Sequence, residues 1–402
     1  MRRRRGFQLT CAAVATTPFT GLDLVWFLSL PDIFLLVAAS AVLVSALERG
    51  AIDIQRTALL GLFGLCILFG VEVAAIPNAV QPLAGAIWAR TRLGNLLLLA
   101  SVLLTVDSRR DIYVLLRLLC VSLLIVAVLT VLHSVGLVEF GDSVIEPRWI
   151  FGYQIPFRRT LGVPMDYGNF GMYMSLGTAY LLYETDQFDN WWALGALPVF
   201  LLAVFISQSR SSWLAVGSVV GLILAYKALN IIWGRIRPAF GYSLLAVAVI
   251  AVPFAMVGVA RWLIAIDPLT LYSRLHAYRT AFSVYLQSPL IGIGRASYFH
   301  AYGTEVIHNG VLSILVSFGP LAFVLFLAVY TLAFRTGLQT ACRSRTPFLW
   351  VTLLAAYAGV SVELMLFDGS YTKILWLTVG LLLSGATVYH SEADRGTVTV
   401  RP

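Results

Sequence analysis

Charge is scarce in this chain. Only 12% of its 402 residues are Asp, Glu, Lys or Arg, against 59% hydrophobic residues, a balance that excludes an ordinary soluble domain. Cysteine is scarce too: Cys11, Cys66, Cys120 and Cys342 are scattered and none forms a C-x-x-C, so neither a disulfide frame nor a metal knuckle is supported. There is no room for a separate globular module and no evident internal repeat, and few charges interrupt the apolar runs. A transporter would place charges near the bilayer midplane and show repeated or broken halves, and its main candidates here are Glu72 and Glu363 alone. The basic start, Arg2 to Arg5 before an apolar run, has no clean small-residue cleavage site, which argues against a cleaved signal peptide.

What the chain has in abundance is apolar runs near the length that crosses a hydrocarbon core of about 30 Å. They fall at 33–47, 57–75, 93–106, 112–138, 168–183, 191–206, 213–229, 241–260, 310–334, 348–367 and 371–389. Arg109 and Arg110, then Lys227, Arg235 and Arg237, then Arg335, Arg343 and Arg345 fall in short loops on one side, which the positive-inside rule makes cytoplasmic. Arg2 to Arg5 also belong inside, and a weaker span within 7–30 reconciles them with the other eleven. The pattern predicts an all-α, polytopic transmembrane bundle of about twelve spans, with 1–402 a single membrane domain. The longest interruption, 261–307, is expected as a structured outer loop carrying part of the functional site.

Polar residues on the outer side are then the ones to weigh. Arg210 stands in ISQSRSSW between two apolar runs, with Ser207, Gln208, Ser209, Ser211 and Ser212 around it. Arg274 lies in a stretch where Leu271, Leu275, Tyr278, Phe282 and Tyr285 suit a helix lying against the membrane surface; Tyr278 shares its face and Arg279 is rotated away. His308 and Asn309 open a long apolar helix after a Gly-rich turn, and Gly319, eleven residues on from His308, is expected on the same helix face, allowing a neighbouring helix close. A helix N-terminus disfavours imidazolium and would keep His308 neutral. Each has a bland reading as well: an arginine snorkels to headgroups, and a histidine at a helix start bonds a carbonyl.

These three places together resemble the O-antigen ligase and O-antigen polymerase superfamily of bacterial envelope glycosyltransferases. SQSR ending at Arg210 is similar to the family's Ser-Arg turn; Arg274, with an aromatic four residues on and SPLIGIG (Pro289, Gly292, Gly294) following, is similar to its periplasmic-loop arginine. His308-Asn309, nine residues, then Gly319 resembles the ligase motif, with Ala322 where Gly, Thr or Tyr is commoner and Tyr278 where Trp is more usual. The similarity covers roughly 167–330; the earlier spans match in hydropathy only.

The resemblance implies transfer of a glycan from an undecaprenyl-pyrophosphate carrier to an acceptor hydroxyl, on the periplasmic face of the bacterial inner membrane. The acceptor is a glycolipid such as lipid A-core for a ligase, or a growing carrier-linked chain for a polymerase. Arginine forks suit pyrophosphate oxygens, and a neutral histidine suits removal of the hydroxyl proton. The expected catalytic set is His308, Arg274 and Arg210, with Asn309, Ser209, Tyr278, Arg279 and Gly294 binding substrate. Partners are the carrier-linked glycan, the acceptor and membrane lipids, with no nucleic acid. No cofactor and no metal are expected. The E-x-D strings Glu184/Asp186 and Glu392/Asp394 fall inside, Asp166 and Asp267 are outward but unpaired, and Arg148, Arg158 and Arg159 serve glycan or headgroups equally well.

Overall fold

Backbone amides inside hydrocarbon must be hydrogen-bonded within the chain, which leaves the helix as the way for these apolar runs to fold. The structure, a computed structural model, describes residues 2–19, 23–25, 28–49, 55–79, 82–138, 142–150, 153–161, 167–188, 190–207, 209–232, 268–294, 307–344, 346–368 and 370–397. The helices are α1 (Arg2–Thr16), α2 (Leu30–Arg49), α3 (Arg56–Ala75), α4 (Pro82–Thr105), α5 (Arg109–Ser134), α6 (Tyr167–Phe188), α7 (Trp191–Ile206), α8 (Arg210–Ile232), α9 (Pro268–Tyr285), α10 (Gly310–Arg343), α11 (Pro347–Leu366) and α12 (Lys373–Thr397). Among the described residues, seven helices are long and apolar enough to cross a membrane, and three more are apolar but shorter. The chain is a multi-pass membrane protein.

Two details depart from the hydropathy reading. The fold is not purely helical: strands Asp23–Val25 and Leu28–Ser29 pair antiparallel, and so do Asp142–Ile150 and Tyr153–Leu161. The second hairpin occupies the segment, expected on the outer side, that carries Arg148, Arg158 and Arg159. The expected first span within 7–30 is instead the 15-residue helix α1 followed by the small hairpin. At about 1.5 Å per residue such a helix falls short of a full hydrocarbon core, and it stops just before Pro18, which cannot continue it. The apolar run expected at 241–260, like Asp166 and Asp267, lies outside the described residues.

Helix α11 is the centre of the bundle. It packs against α6, α8, α10 and α12. Its most apolar window is 83% buried, against 28% for the span starting at Arg56, so α11 faces protein while α3 faces lipid. At one end of the bundle the basic loops meet: Lys227 pairs with Asp186 at 2.6 Å, Arg109 donates to Thr346, and Ser391 donates to the Asp107 carbonyl at 2.9 Å. Glu184 sits at the same end and accepts from Tyr113 (2.6 Å), Tyr180 (3.1 Å) and Asn190 (3.0 Å), so Glu184 and Asp186 serve separate partners.

The α11–α12 turn is held from beneath by a buried cation. Arg92, fully buried in α4, bonds Glu72 of α3 at 2.8 Å and donates to the Ser370 carbonyl at 2.9 Å. Its guanidinium lies 4.3 Å from the centre of the Tyr371 ring and 5.1 Å from that of Trp376. Asn95 donates to the Tyr371 carbonyl at 3.0 Å, and Lys373 pairs with Asp32 at 3.0 Å. A buried charge is tolerated where partners compensate its desolvation, and this one anchors the loop that carries Asp368.

Candidate functional site

The site begins with a capped helix start. Ser209 stands at the N-cap of α8: its carbonyl accepts from Trp213 N–H at 3.0 Å and its hydroxyl from Ser212 N–H at 3.4 Å. This satisfies amides that a helix start leaves open, and it fixes Arg210 as the first helical residue, half-buried. Ser211 and Ser212 then reach across to α11, donating to Glu363 Oε1 at 2.8 Å and 3.5 Å. The dense serine hairpin therefore has a structural use: it ties the start of the Arg210 helix to a buried carboxylate.

The His-Asn pair is built by the same device. Asn309 is the N-cap of α10, its side-chain oxygen accepting from Leu312 N–H at 2.9 Å, so His308 lies just outside the helix. Tyr278 of α9 donates to the His308 carbonyl at 3.1 Å and also meets the Asn309 side chain. A small apolar cluster of Ala281, Ile307 and Val316, with Tyr278, Tyr285, Ile293 and Leu312 against it, seats α9 on α10. Leu275 and Phe282 of the expected apolar stripe face outward, 45% and 54% exposed. That suits a helix whose inner face rests on protein while its outer face is left for lipid.

Gly319 does something other than admit a helix. It adopts φ 78° and ψ −178°, a backbone state reserved for glycine, and kinks α10. Pro320 has no N–H to give the Val316 carbonyl, and the kink opens the Ser317 carbonyl as well. The Gly-rich turn fills both places: Ile293 N–H donates to Val316 O at 3.2 Å and Gly294 N–H to Ser317 O at 2.9 Å. The approach is close, since a Cβ on Gly319 would stand 2.3 Å from the Leu290 carbonyl oxygen. SPLIGIG and Gly319-Pro320 are therefore two halves of one joint that fixes the end of α9 to the helix behind His308. Gly294 acts there through its backbone and is buried against Ala79.

Arg274, Arg210 and His308 come together. Arg274, half-buried, lies within electrostatic range of Arg210, Glu363 and His308. Burial lowers its pKa; Tyr278 opposes the fall, Arg210 adds to it, and Glu363 opposes it. His308 is held below the ordinary imidazole value, first by burial and then by the Arg274 charge, with Asp368 opposing. Its Nδ1 is buried and has no hydrogen-bond partner among the described residues, and its ring lies 6.2 Å from that of Phe367. Both effects favour the neutral imidazole, whose Nδ1 makes no hydrogen bond to the described residues. Burial raises the pKa of the Tyr278 phenol, so it remains a hydroxyl donor. Arg279 is exposed on the outer side of α9, apart from this cluster.

Two acidic residues complete the cluster, and neither was assigned to the site by its sequence motif. Glu363 is fully buried in α11 beside Arg274, and Asp368, in the next turn, accepts from Ser313 at 2.8 Å and Ser370 at 3.1 Å while facing His308. The available signal was positional. An acid inside an apolar run is expensive and marks a functional neighbourhood by default.

The chemistry of this cluster is that of anion recognition next to a base. Two permanently charged guanidinium groups converge at one end of a membrane bundle, with a neutral imidazole alongside. Residues 195–327, which contain Arg210, Arg274 and His308-Asn309, match the O-antigen ligase family model, and this supports the O-antigen ligase and polymerase superfamily. No curated protein matches the chain.

Proposed function

From this superfamily placement, we propose that the chain is a metal-independent membrane glycosyltransferase of the O-antigen ligase type. It takes a glycan from an undecaprenyl-pyrophosphate carrier and joins it to an acceptor hydroxyl. We place it in the bacterial inner membrane as a single multi-pass domain, the reacting end facing the periplasm and 261–307 contributing to the site. What supports this reading is that Arg210 and His308 both lie within electrostatic range of Arg274, at the end of the bundle opposite the basic loops, where burial and Arg274 favour the neutral form of His308.

The step is a single inverting displacement. The acceptor oxygen attacks the anomeric carbon and forms the new glycosidic bond. The bond from that carbon to the pyrophosphate oxygen breaks, and its electron pair leaves with the carrier diphosphate. His308 takes the hydroxyl proton, a contribution of about 10²- to 10⁴-fold in such reactions. Arg210 and Arg274 stabilise the charge that develops on the leaving diphosphate. Tyr278 and Asn309 hold the His308 backbone, and Ser209 holds Arg210 at its helix start, so these act by position.

The test is reconstitution of the purified protein with a lipid-linked oligosaccharide, with and without a lipid A-core acceptor. Transfer that requires the added acceptor supports the ligase. Carrier-linked chains that lengthen without it assign the polymerase, and an absence of transfer under both conditions contradicts the glycosyltransferase reading and favours transport.

A further inference from the structure

Arg117 is an exposed arginine on a lipid-facing stripe of α5, beside Leu118, Val121 and Ile125, which are 38%, 46% and 49% exposed. At about 1.5 Å per residue the 26-residue α5 is about 39 Å long, about 9 Å more than a hydrocarbon core, and Arg117 stands about 12 Å from its start, so its backbone lies at or below the edge of the core. Helical side chains lean towards the N-terminus, which for α5 is the end where the basic loops meet, so the guanidinium reaches up to the level of lipid phosphates. No ion pair among the described residues includes it. Trp192 stands beside it in the first turn of α7, which packs against α5. The guanidinium carbon is 6.0 Å from the Trp192 ring centre, the outer limit of a useful cation–π contact. The indole Nε1 is buried and donates to nothing among the described residues.

We propose that Arg117 and Trp192 form a binding site for the phosphate of an anionic phospholipid, seated where α5 meets α7 at the basic end of the bundle. Snorkelling accounts for the arginine alone and leaves a buried indole N–H without an acceptor, which is costly. A water would satisfy the indole and leave the cation without a counter-charge. One phosphate beside both meets both needs, taking charge-assisted bonds from the guanidinium fork and a further bond from the indole N–H. The surrounding charge selects an anionic headgroup: Arg110, two turns before Arg117 on the same face, is exposed as well, and a zwitterionic lipid would bring its ammonium into the same positive field. Apolar surface for the acyl chains continues below on both helices, in Leu118 and Val121 of α5 and in Leu194 of α7, 61% exposed. Trp191, 85% exposed, marks the level of the membrane interface. A lipid held here clamps α5 to α7 and takes no part in the transfer reaction.

The experiment reconstitutes the full chain in phosphatidylcholine bilayers containing a minority of phosphatidylglycerol and follows the retained lipid by native mass spectrometry. The wild-type protein is expected to keep phosphatidylglycerol in preference to phosphatidylcholine. Arg117→Gln removes the charge and is expected to weaken that retention about tenfold. Trp192→Phe keeps an aromatic ring and removes the N–H, and is expected to weaken it about fivefold; it decides the matter if Arg117→Gln is not recovered folded. Millimolar inorganic phosphate is expected to leave the lipid in place. Displacement by phosphate would assign the site to a free anion and overturn the lipid. Unchanged retention in either variant, or equal retention of the two lipids by the wild-type protein, also overturns the proposal. None of these outcomes bears on glycan transfer, so the two readings stand or fall separately.

Discussion

His308 carries the most specific residue-level consequences. Burial and Arg274 both depress its pKa, so the neutral base persists to lower pH than a free imidazole would. Transfer is expected to hold steady as pH falls to the ordinary imidazole value near 6.5 and to decline only below it. A pH profile of kcat/KM that already halves above that value contradicts the assignment. His308→Ala should lower kcat about 10²- to 10⁴-fold while leaving undecaprenyl diphosphate binding within about threefold. Arg274→Ala should weaken binding and turnover together, and isothermal titration separates the two patterns. At this scale Arg210, Arg274, His308 and Asn309 were legible in the sequence because each stands in a short motif at the edge of an apolar run. Glu363 and Asp368 were not, because their meaning depends on α11 and its following turn lying beside residues far away in sequence. Gly294 was assigned to substrate, whereas its observed contacts are a backbone bond to Ser317 and close packing on Ala79.

At the scale of elements, the joint between SPLIGIG and the α10 kink is what holds α9 in place. Gly319→Ala forces an L residue into a glycine-only conformation and drives its Cβ against the Leu290 carbonyl. The expected loss is at least about 2 kcal/mol of stability, with transfer lost in step, measured by a thermal melt in detergent and by activity. An alanine variant with wild-type melting and turnover contradicts the joint. The spacing from His308 to Gly319 suggested a shared helix face, and that reading failed for a physical reason: Pro320 removes a donor, the helix breaks, and a loop backbone rather than a helix fills the gap. Helix positions were readable from hydropathy wherever a run was bounded by charge or proline, as at 191–206, which α7 reproduces. The start of α4 was not, because Arg90 and Arg92 made its first half look like a loop, when Arg92 is in fact enclosed by Glu72, Tyr371 and Trp376.

For the whole molecule, the bundle has two unlike ends. One gathers Arg109, Thr346, Asp186, Lys227 and Ser391, and the other gathers Arg210, Arg274, His308 and Asp368. In a cysteine-free background, an impermeant maleimide should label Arg279→Cys on intact spheroplasts and Gln187→Cys only after permeabilisation; labelling of both from one side contradicts the topology. The buried Arg92 pair links the α11–α12 turn to α3 and α4, so Glu72→Gln should destabilise the whole bundle by about 3 kcal/mol, read as a lower melting temperature. Membrane class and the multiplicity of spans were open in the composition. Which loops meet was not, since packing of α11 against four neighbours is a property of the assembled helices.

The central claim is that Arg210 and Arg274 grip one diphosphate while His308 stands on its sugar side. A cryo-electron microscopy structure of the protein with undecaprenyl diphosphate bound tests it directly. The account predicts both phosphates between the two guanidinium groups, within hydrogen-bond distance of each, and the His308 ring facing the terminal phosphate. A headgroup bound elsewhere, or held by one arginine with His308 turned away, contradicts it.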